Sequence, residues 1–530
     1  MATYLSIVLH AAKTIDVAAR VRKMYTERDK MTYLTGLRSA ICTAALLLGT
    51  AAHADLTAAE VWEDWKSQLT QYGDDQLSIG AEETSSGTVT VRDIRLTFAE
   101  DDVVMETVIG DINFNEQADG SVRVTMADSI PLTLTGEDGL VVTILTTQSN
   151  LEMIVSGSPE LMEYDVSADS YQIAFQDAVD GSVTITGDAK LTATDMTANY
   201  VVAKGETREI SANSTIGALD LLVDFMIPGG NGEYITAAAK VNNMRSQSEV
   251  TAPLEADFEN PETMFTDGFS IAGGYEIENG AYVFDISMEG EQTSGSVSTG
   301  SVTFSGELNE QTVAYDTSTR DMDVNLTTSE FPLPITMTMS EYGTGFRMPL
   351  GVTEEPADWN FKFDMIDLIV GDDVWNLFDP GNVLPRDPAT LQVALSGTAR
   401  ALFDMLDPEA TDDMMRTDFP AELNSLTLDN LQINAAGALF TGSGAFTFDN
   451  GDMQTFAPLP RPEGDATFEI TGLNKLLDNL VAMGVAPEEQ VMGPRMMMGM
   501  FGRATGDDQM AIDVEVTPNG QVNVNGNRVR

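Results

Sequence analysis

Histidine and cysteine are nearly missing from this chain of 530 residues. There are two histidines, His10 and His53, and one cysteine, Cys42. All three lie upstream of an expected secretory cleavage site between Ala54 and Asp55. The processed chain then has no imidazole and no thiol. That excludes the commonest general base, the thiolate nucleophile and the usual zinc ligands. A Ser-His-Asp triad is excluded with them. The sequence also lacks a Gly-x-Ser-x-Gly elbow, a Ser-x-x-Lys pair, Asp-Thr-Gly or Asp-Ser-Gly, and a phosphate-cradling glycine loop. Eighty carboxylates leave a glycosidase-type pair open, but their abundance singles out no pair.

Positive charge is scarce as well. Seven of the 28 cations and three of the 83 acids fall in residues 1–54, so residues 55–530 hold 21 cations and 80 acids, a formal charge of −59. Such a field repels nucleic-acid phosphates and anionic head groups, so no nucleic-acid partner is expected. A solvated acidic surface accounts for it without any ligand.

Long apolar runs are limited to one. From Met31 the chain reads as a signal peptide: Arg38, then Ser39 to Ala52, then Ala52-His53-Ala54 before the cut. The run is shorter than the roughly 20 residues a membrane span needs. Residues 1–30 read as an upstream extension, or else as a long positively charged n-region, 31–54 as the signal peptide, and the remainder as a periplasmic chain with no transmembrane segment. Without cysteines it relies on a buried core instead of disulfides.

The remainder opens with helix signals. Thr57-Ala58-Ala59-Glu60 is a capping box, and Leu56 and Val61 are placed as a hydrophobic staple. Val61, Trp62, Trp65 and Leu69 share one face, and Gly73 ends the run. From Leu77 to about Met348 the period changes to two, as in Tyr282 to Met288. Nine Asp-Gly or Asn-Gly pairs punctuate the chain, among them Asp138-Gly139 and Asn279-Gly280. The expected fold class is mainly β, a β-rich α+β protein. It would have a long antiparallel strand series in a curved sheet, a split barrel or two stacked sheets, with one N-terminal helix and a few covering helices in the C-terminal third. Glu354-Glu355-Pro356 marks an expected boundary between a β region at 55–355 and an α+β region at 356–530.

In the second region, Asp372 to Phe378 is expected as a helical turn, Thr390 to Ser396 as a strand and Thr398 to Leu406 as a short helix. Leu473 to Met483 is expected as a helix, followed after Pro487 by a helical stretch that Gly493-Pro494 interrupts or kinks. The chain closes on a hairpin around Pro518-Asn519-Gly520. Met492, Met496, Met497, Met498 and Met500 are the most unusual local feature. Core packing is their first reading. An adaptable apolar surface for a lipid or partner is the second, and a Cu(I) thioether site the last. Arg386 could grip an anion, although pairing with Asp379 or Asp387 is the plainer reading. No cofactor is expected. Asp412-Asp413 and Asp507-Asp508 read as solvated surface instead of calcium ligands.

Val374-Trp375-Asn376-Leu377-Phe378-Asp379-Pro380-Gly381, followed by Leu384-Pro385-Arg386-Asp387-Pro388-Ala389-Thr390-Leu391, resembles the signature stretch of the domain of unknown function 2125 family. The Val61 to Trp65 helix and the closing Asn525-Gly526 resemble that family too. The resemblance implies a secreted Gram-negative envelope protein and carries no catalytic residues. In architecture the chain is similar to the AsmA-like group, some of whose members form long β-grooves associated with lipid traffic. The expected function is a non-enzymatic binding or scaffolding protein whose apolar β-groove takes a lipid-like ligand or an envelope protein. The alternatives are a carboxylate-dependent hydrolase of envelope glycans and a purely structural envelope component.

Overall fold

The computed structural model describes residues 56–530 apart from 71–75, 101–102, 137–138, 182, 228–231, 255–264, 266–267, 407–409 and 411–420. The expected extension, signal peptide and Ala54–Asp55 cut therefore lie outside the described residues, as do Gly73 and Asp412-Asp413. Strand makes up 68% and helix 11% of what is described, in one large antiparallel sheet with four helices. The chain is mainly β. Two compact units divide it: one runs to Tyr275 and includes Phe284–Gly290, and the other holds Glu276–Val283 and Glu291–Arg530.

The first unit begins with α1 (Ala58–Thr70). Its capping box forms. The Thr57 amide donates to Glu60 Oε2 at 2.9 Å, and the Glu60 amide donates to Thr57 Oγ1 at 3.3 Å. The expected staple residues Leu56 and Val61 are both buried in one core cluster with Trp62, Trp65 and Leu69. Opposite them stand the inward residues of β1 (Thr88–Glu100) and β2 (Val103–Glu116): Val89, Val91, Ile94, Leu96, Ile112 and Phe114. Trp65 packs edge-on against Phe114 at 5.3 Å. The helix therefore fills the start of the sheet.

Beyond it come four strands of 18 to 20 residues: β3 (Leu161–Asp180), β4 (Gly187–Lys204), β5 (Thr207–Met226) and β6 (Tyr234–Pro253). Each pairs antiparallel with the next. In β4, β5 and β6 the apolar residues of one face alternate and slip once. In β4 they run Ala189, Leu191, Ala193, then Met196, Ala198, Tyr200, Val202. In β5 the slip falls between Ile216 and Leu219, and in β6 between Val241 and Met244. The slips coincide: the ladder passes over Asp195 opposite Gly217, and over Gly217 opposite Asn243. Asp195 and Asn243 have φ of 52° and 50°, in the left-handed region. Aspartate and asparagine are the side-chain-bearing residues that enter it most readily. A one-residue slip ordinarily turns a strand inside out. Here adjacent strands slip together, so apolar residues stay opposite apolar residues on both sides: Leu191 faces Leu221, and Val202 faces Ile210.

The second unit is a meander. β7 (Thr312–Thr328), β8 (Phe331–Pro349), β9 (Ala357–Val370), β10 (Ala389–Ala401), β11 (Ala421–Ala435), β12 (Ala438–Asp449), β13 (Arg461–Thr471) and β14 (Gln509–Val516) follow one another as antiparallel neighbours. The same device recurs. Asp321 and Asp367 have φ of 50° and 54°, and Ser340 lies between them with its hydroxyl donating to Asp367 Oδ2 at 3.1 Å. The helices are α2 (Asp372–Phe378), α3 (Leu473–Ala482) and α4 (Glu488–Phe501).

Three local expectations need correction. Thr398 to Ala401 continue strand β10 instead of starting a helix, because each pairs with β11 and Arg400 bonds Glu422. α4 runs through Gly493-Pro494 without interruption. Val491 before the proline and Met498 after it are buried in the same cluster with Leu477, so packing on both sides holds the segment helical. Asn279-Gly280 lies inside the strand Asn279–Met288, not in a hairpin turn. Seven of the nine glycines in these pairs do have positive φ; Gly280 and Gly451 do not. The expected closing hairpin forms, with Val514 and Val516 opposite Val524 and Val522.

Candidate functional site

The apolar face of the second unit is the candidate site, because α3 and α4 meet it at Met510 of β14 and its rows across β7 to β13 stay unburied. The register lines up one row across the strands: Tyr315, Phe346, Phe361, Leu395, Leu428 and Gly444. A parallel row runs Met365, Leu391, Ile433, Phe440 and Ile470. None of these side chains is buried; Phe361 is 45% and Ile433 42% exposed. At the start of the first unit the same kind of row meets α1 and becomes a core cluster, while Leu221 and Met226 of β5 stay exposed. Among the described residues of the second unit, the one cluster of buried apolar residues is that of α3 and α4.

The face is organised although it is open. Tyr315 meets Phe346 edge-on at 4.7 Å, and Phe440 stacks on Phe468 at 5.7 Å with planes 3° apart. Ring pairs of this kind fix aromatic positions. Gly442 lies under the Phe468 ring, where a Cβ would come within 2.5 Å of Cδ1. The opposite face is polar and acidic, with Arg320 bonded to Glu341 and Lys362 to Asp364. Apolar area left without a protein layer lowers its free energy by taking an apolar ligand, at roughly 25 cal/mol per Å² removed from water.

The expected surface residues sit on the helices. Met492, Met496, Met497 and Met500 are 55 to 66% exposed, whereas Met498 is buried against Leu477. Four of the five thus form surface and one forms core. Arg386 is committed within its own loop. It ion-pairs with Asp372, donates to Asn376 Oδ1 at 2.9 Å and to the Asp379 carbonyl at 3.1 Å, and lies over the Trp375 ring. Asp379 is 1% exposed and accepts from the amides of Val383 and Leu384 at 2.9 and 2.8 Å. Those amides, the Val383 one foremost, hold its carboxyl below the usual aspartate range. The motif is therefore a loop held mainly by its own contacts that closes the turn from α2 into β10, with Nε of Arg386 buried and unbonded. No group of three or more metal-ligating side chains occurs among the described residues.

A shallow depression of 460 Å³ lies on the polar side of the first unit, near Asp165, Ser167, Thr197, Asn199 and Thr215. Its polar groups bond one another: Asn199 donates to Asp165, and the Thr197 and Thr215 hydroxyls meet at 2.7 Å. Sequence reasoning did not single it out, since Ser, Thr and Asn are common on every outward face.

Residues 236–526 match the family described as "Uncharacterized protein conserved in bacteria (DUF2125)". The chain belongs to this family. The matched span contains the Val374 to Leu391 motif and Asn525-Gly526, while α1 lies outside it. The DUF2125 portion therefore includes all of the open apolar face. No curated protein matches the chain. No solved structure matches it either.

Proposed function

We propose that this DUF2125 protein is an exported envelope protein whose second unit binds the acyl chains of a lipid-like ligand on its open apolar face. The observation that carries this reading is the contrast between the two units. α1 seals the start of the first unit's sheet, whereas the aligned, aromatic and methionine-rich face of the second unit meets α3 and α4 at Met510 and leaves Phe361 and Ile433 exposed. Flexible thioethers such as Met322, Met337, Met339 and Met365 adapt to chains of different shape. The expected export signal supports an envelope location, where such ligands are found. No helix among the described residues is long and apolar enough to cross a membrane.

Native mass spectrometry of the protein purified from its own envelope fraction tests this. Adducts of lipid mass, lost in a Phe361→Lys variant, are expected. A ligand-free spectrum together with no uptake of a fatty-acid probe such as cis-parinaric acid would overturn the reading.

A further inference from the structure

A second apolar surface lies on α4, whose buried Val491 and Met498 pack with Leu477 of α3 and Met510 of β14. Met492, Met496 and Met500 are four residues apart and form one line along the helix, with Met497 beside it. All four point away from Val491 and Met498, the residues that fasten α4 to α3. Gly493 and Gly499 have open space where a side chain would stand, so this surface is low as well as apolar. A packed neighbour does not explain these methionines, because none covers them.

The surroundings are acidic. Glu488 and Glu489 begin α4 and are exposed, with no ion pair among the described residues. Asp478 of α3 stands next to the helix through its pair with Arg495. The α2 loop touches α3 where Asn479 donates to the Val383 carbonyl at 3.4 Å, and it adds exposed Leu377 and Phe378 together with Asp372, Asp373 and Asp387. Over 372–388 and 473–502 there are seven acids against three cations. An anionic lipid surface is repelled by that balance, and a cationic apolar partner is attracted.

We propose that the methionine stripe of α4 docks a cationic amphipathic helix of a partner protein. Its apolar side would lie on Met492, Met496 and Met500, and its lysines or arginines would face Glu488 and Glu489. Unbranched thioethers can repack around several apolar side chains, and low glycine positions let a second helix approach closely. The proposal does not depend on the lipid reading, since the sheet face takes no part in it.

The test titrates the full protein into a fluorescein-labelled 18-residue amphipathic helix of leucine and lysine. A leucine–glutamate helix of the same pattern, a scrambled leucine–lysine peptide and phosphatidylcholine vesicles serve as comparisons. Micromolar binding of the first peptide is expected, at least tenfold tighter than of the other two peptides. The double variant Met496→Gln/Met500→Gln should weaken it at least tenfold, and Phe361→Lys should leave it unchanged. Met492→Gln/Met497→Gln provides a second reading on the same surface, and melting curves confirm that both variants fold. Equal binding by both double variants, loss in Phe361→Lys alone, or capture of vesicles in place of the peptide would overturn the proposal. Failure of lipid uptake on the sheet leaves it standing.

Discussion

Asp195 and Gly217 meet across β4 and β5 with no room for a second side chain. A Cβ on Gly217 would stand 2.9 Å from the Asp195 Cβ, and Asp195 itself has φ of 52°. The aspartate supplies the left-handed turn in the strand, and the glycine supplies the space beside it. Gly217→Val is expected to lower stability by about 1–3 kcal/mol, through strain at both residues. Asp195→Gly keeps the backbone conformation and should stay within about 1 kcal/mol of the parent. Thermal melts followed by circular dichroism compare the two. A Gly217→Val variant as stable as Asp195→Gly would mean that the slip does not need this contact.

The same logic applies to the one strongly buried carboxylate of α1. The Asp64 side chain is 2% exposed and pairs with Lys204 at 2.6 Å and Arg208 at 3.4 Å, tying the helix to β4 and β5. Tyr164 joins the group, its hydroxyl 3.4 Å from Asp64 and pushed well above its ordinary range, chiefly by burial and then by the Asp64 charge. Removing one member of a buried pair leaves the other charge uncompensated. Asp64→Ala is expected to cost about 2–4 kcal/mol, less than a fully buried pair because Lys204 reaches solvent. Urea unfolding measures it. The triple variant Asp64→Leu/Lys204→Met/Arg208→Met, which leaves neither cation unpaired, should recover at least half of that loss.

Acid should open the α2 loop. The Asp379 carboxyl titrates below its usual range in the folded chain because the Val383 and Leu384 amides stabilise its anion. A depressed carboxylate contributes stability that is fully present above the unfolded value, about 3.9. That contribution is lost as pH falls through the lower folded value. Fluorescence of Trp375, which Arg386 covers from the same loop, is expected to stay constant down to about pH 4 and change below it. Asp379→Asn should show the acid-form signal at neutral pH. A single-tryptophan background, with Trp62, Trp65 and Trp359 changed to Phe, isolates the reading.

Much of this fold was legible because its signals are local. The capping box at Thr57 and Glu60 and the α1 stripe each depend on a few neighbouring residues, and so does the closing hairpin. The strand alternation is legible too, and so is its slip. The jump from Ala193 to Met196 recurs between Ile216 and Leu219 and between Val241 and Met244, and in each strand it falls at Asp, Gly or Asn. Seen together, those jumps locate the row. Thr398-Ala399-Arg400-Ala401 misled because alanine and arginine favour helices, and only pairing with Glu422 and its neighbours decides for strand. Whether an apolar face is covered is decided by residues far away in sequence, so the open face around Phe346 and the exposure of Met496 were out of reach. Sequence proximity pairs Arg386 with Asp379 or Asp387. The carboxylate it takes is Asp372, one helix earlier, and it reaches Asp379 through the carbonyl.

The difference between the sealed and open units can be measured by opposite substitutions. Trp62 is 2% exposed, packs at 5.8 Å from Phe114, and donates from its indole to Glu82 Oε2 at 3.0 Å. Trp62→Ala removes a fully buried ring and should cost about 3–5 kcal/mol in unfolding free energy. The second unit, with its apolar face, is left intact by that change. Phe361 is 45% exposed on the open face. Phe361→Lys should cost no more than about 1 kcal/mol, since the lysine head group reaches water from there. It places a charge in the path of an acyl chain. Uptake of cis-parinaric acid should therefore fall at least tenfold in Phe361→Lys and hold within a factor of two in Trp62→Ala. If Phe361→Lys instead unfolds the chain as severely as Trp62→Ala, the second unit's apolar face is a covered core, and the groove reading fails.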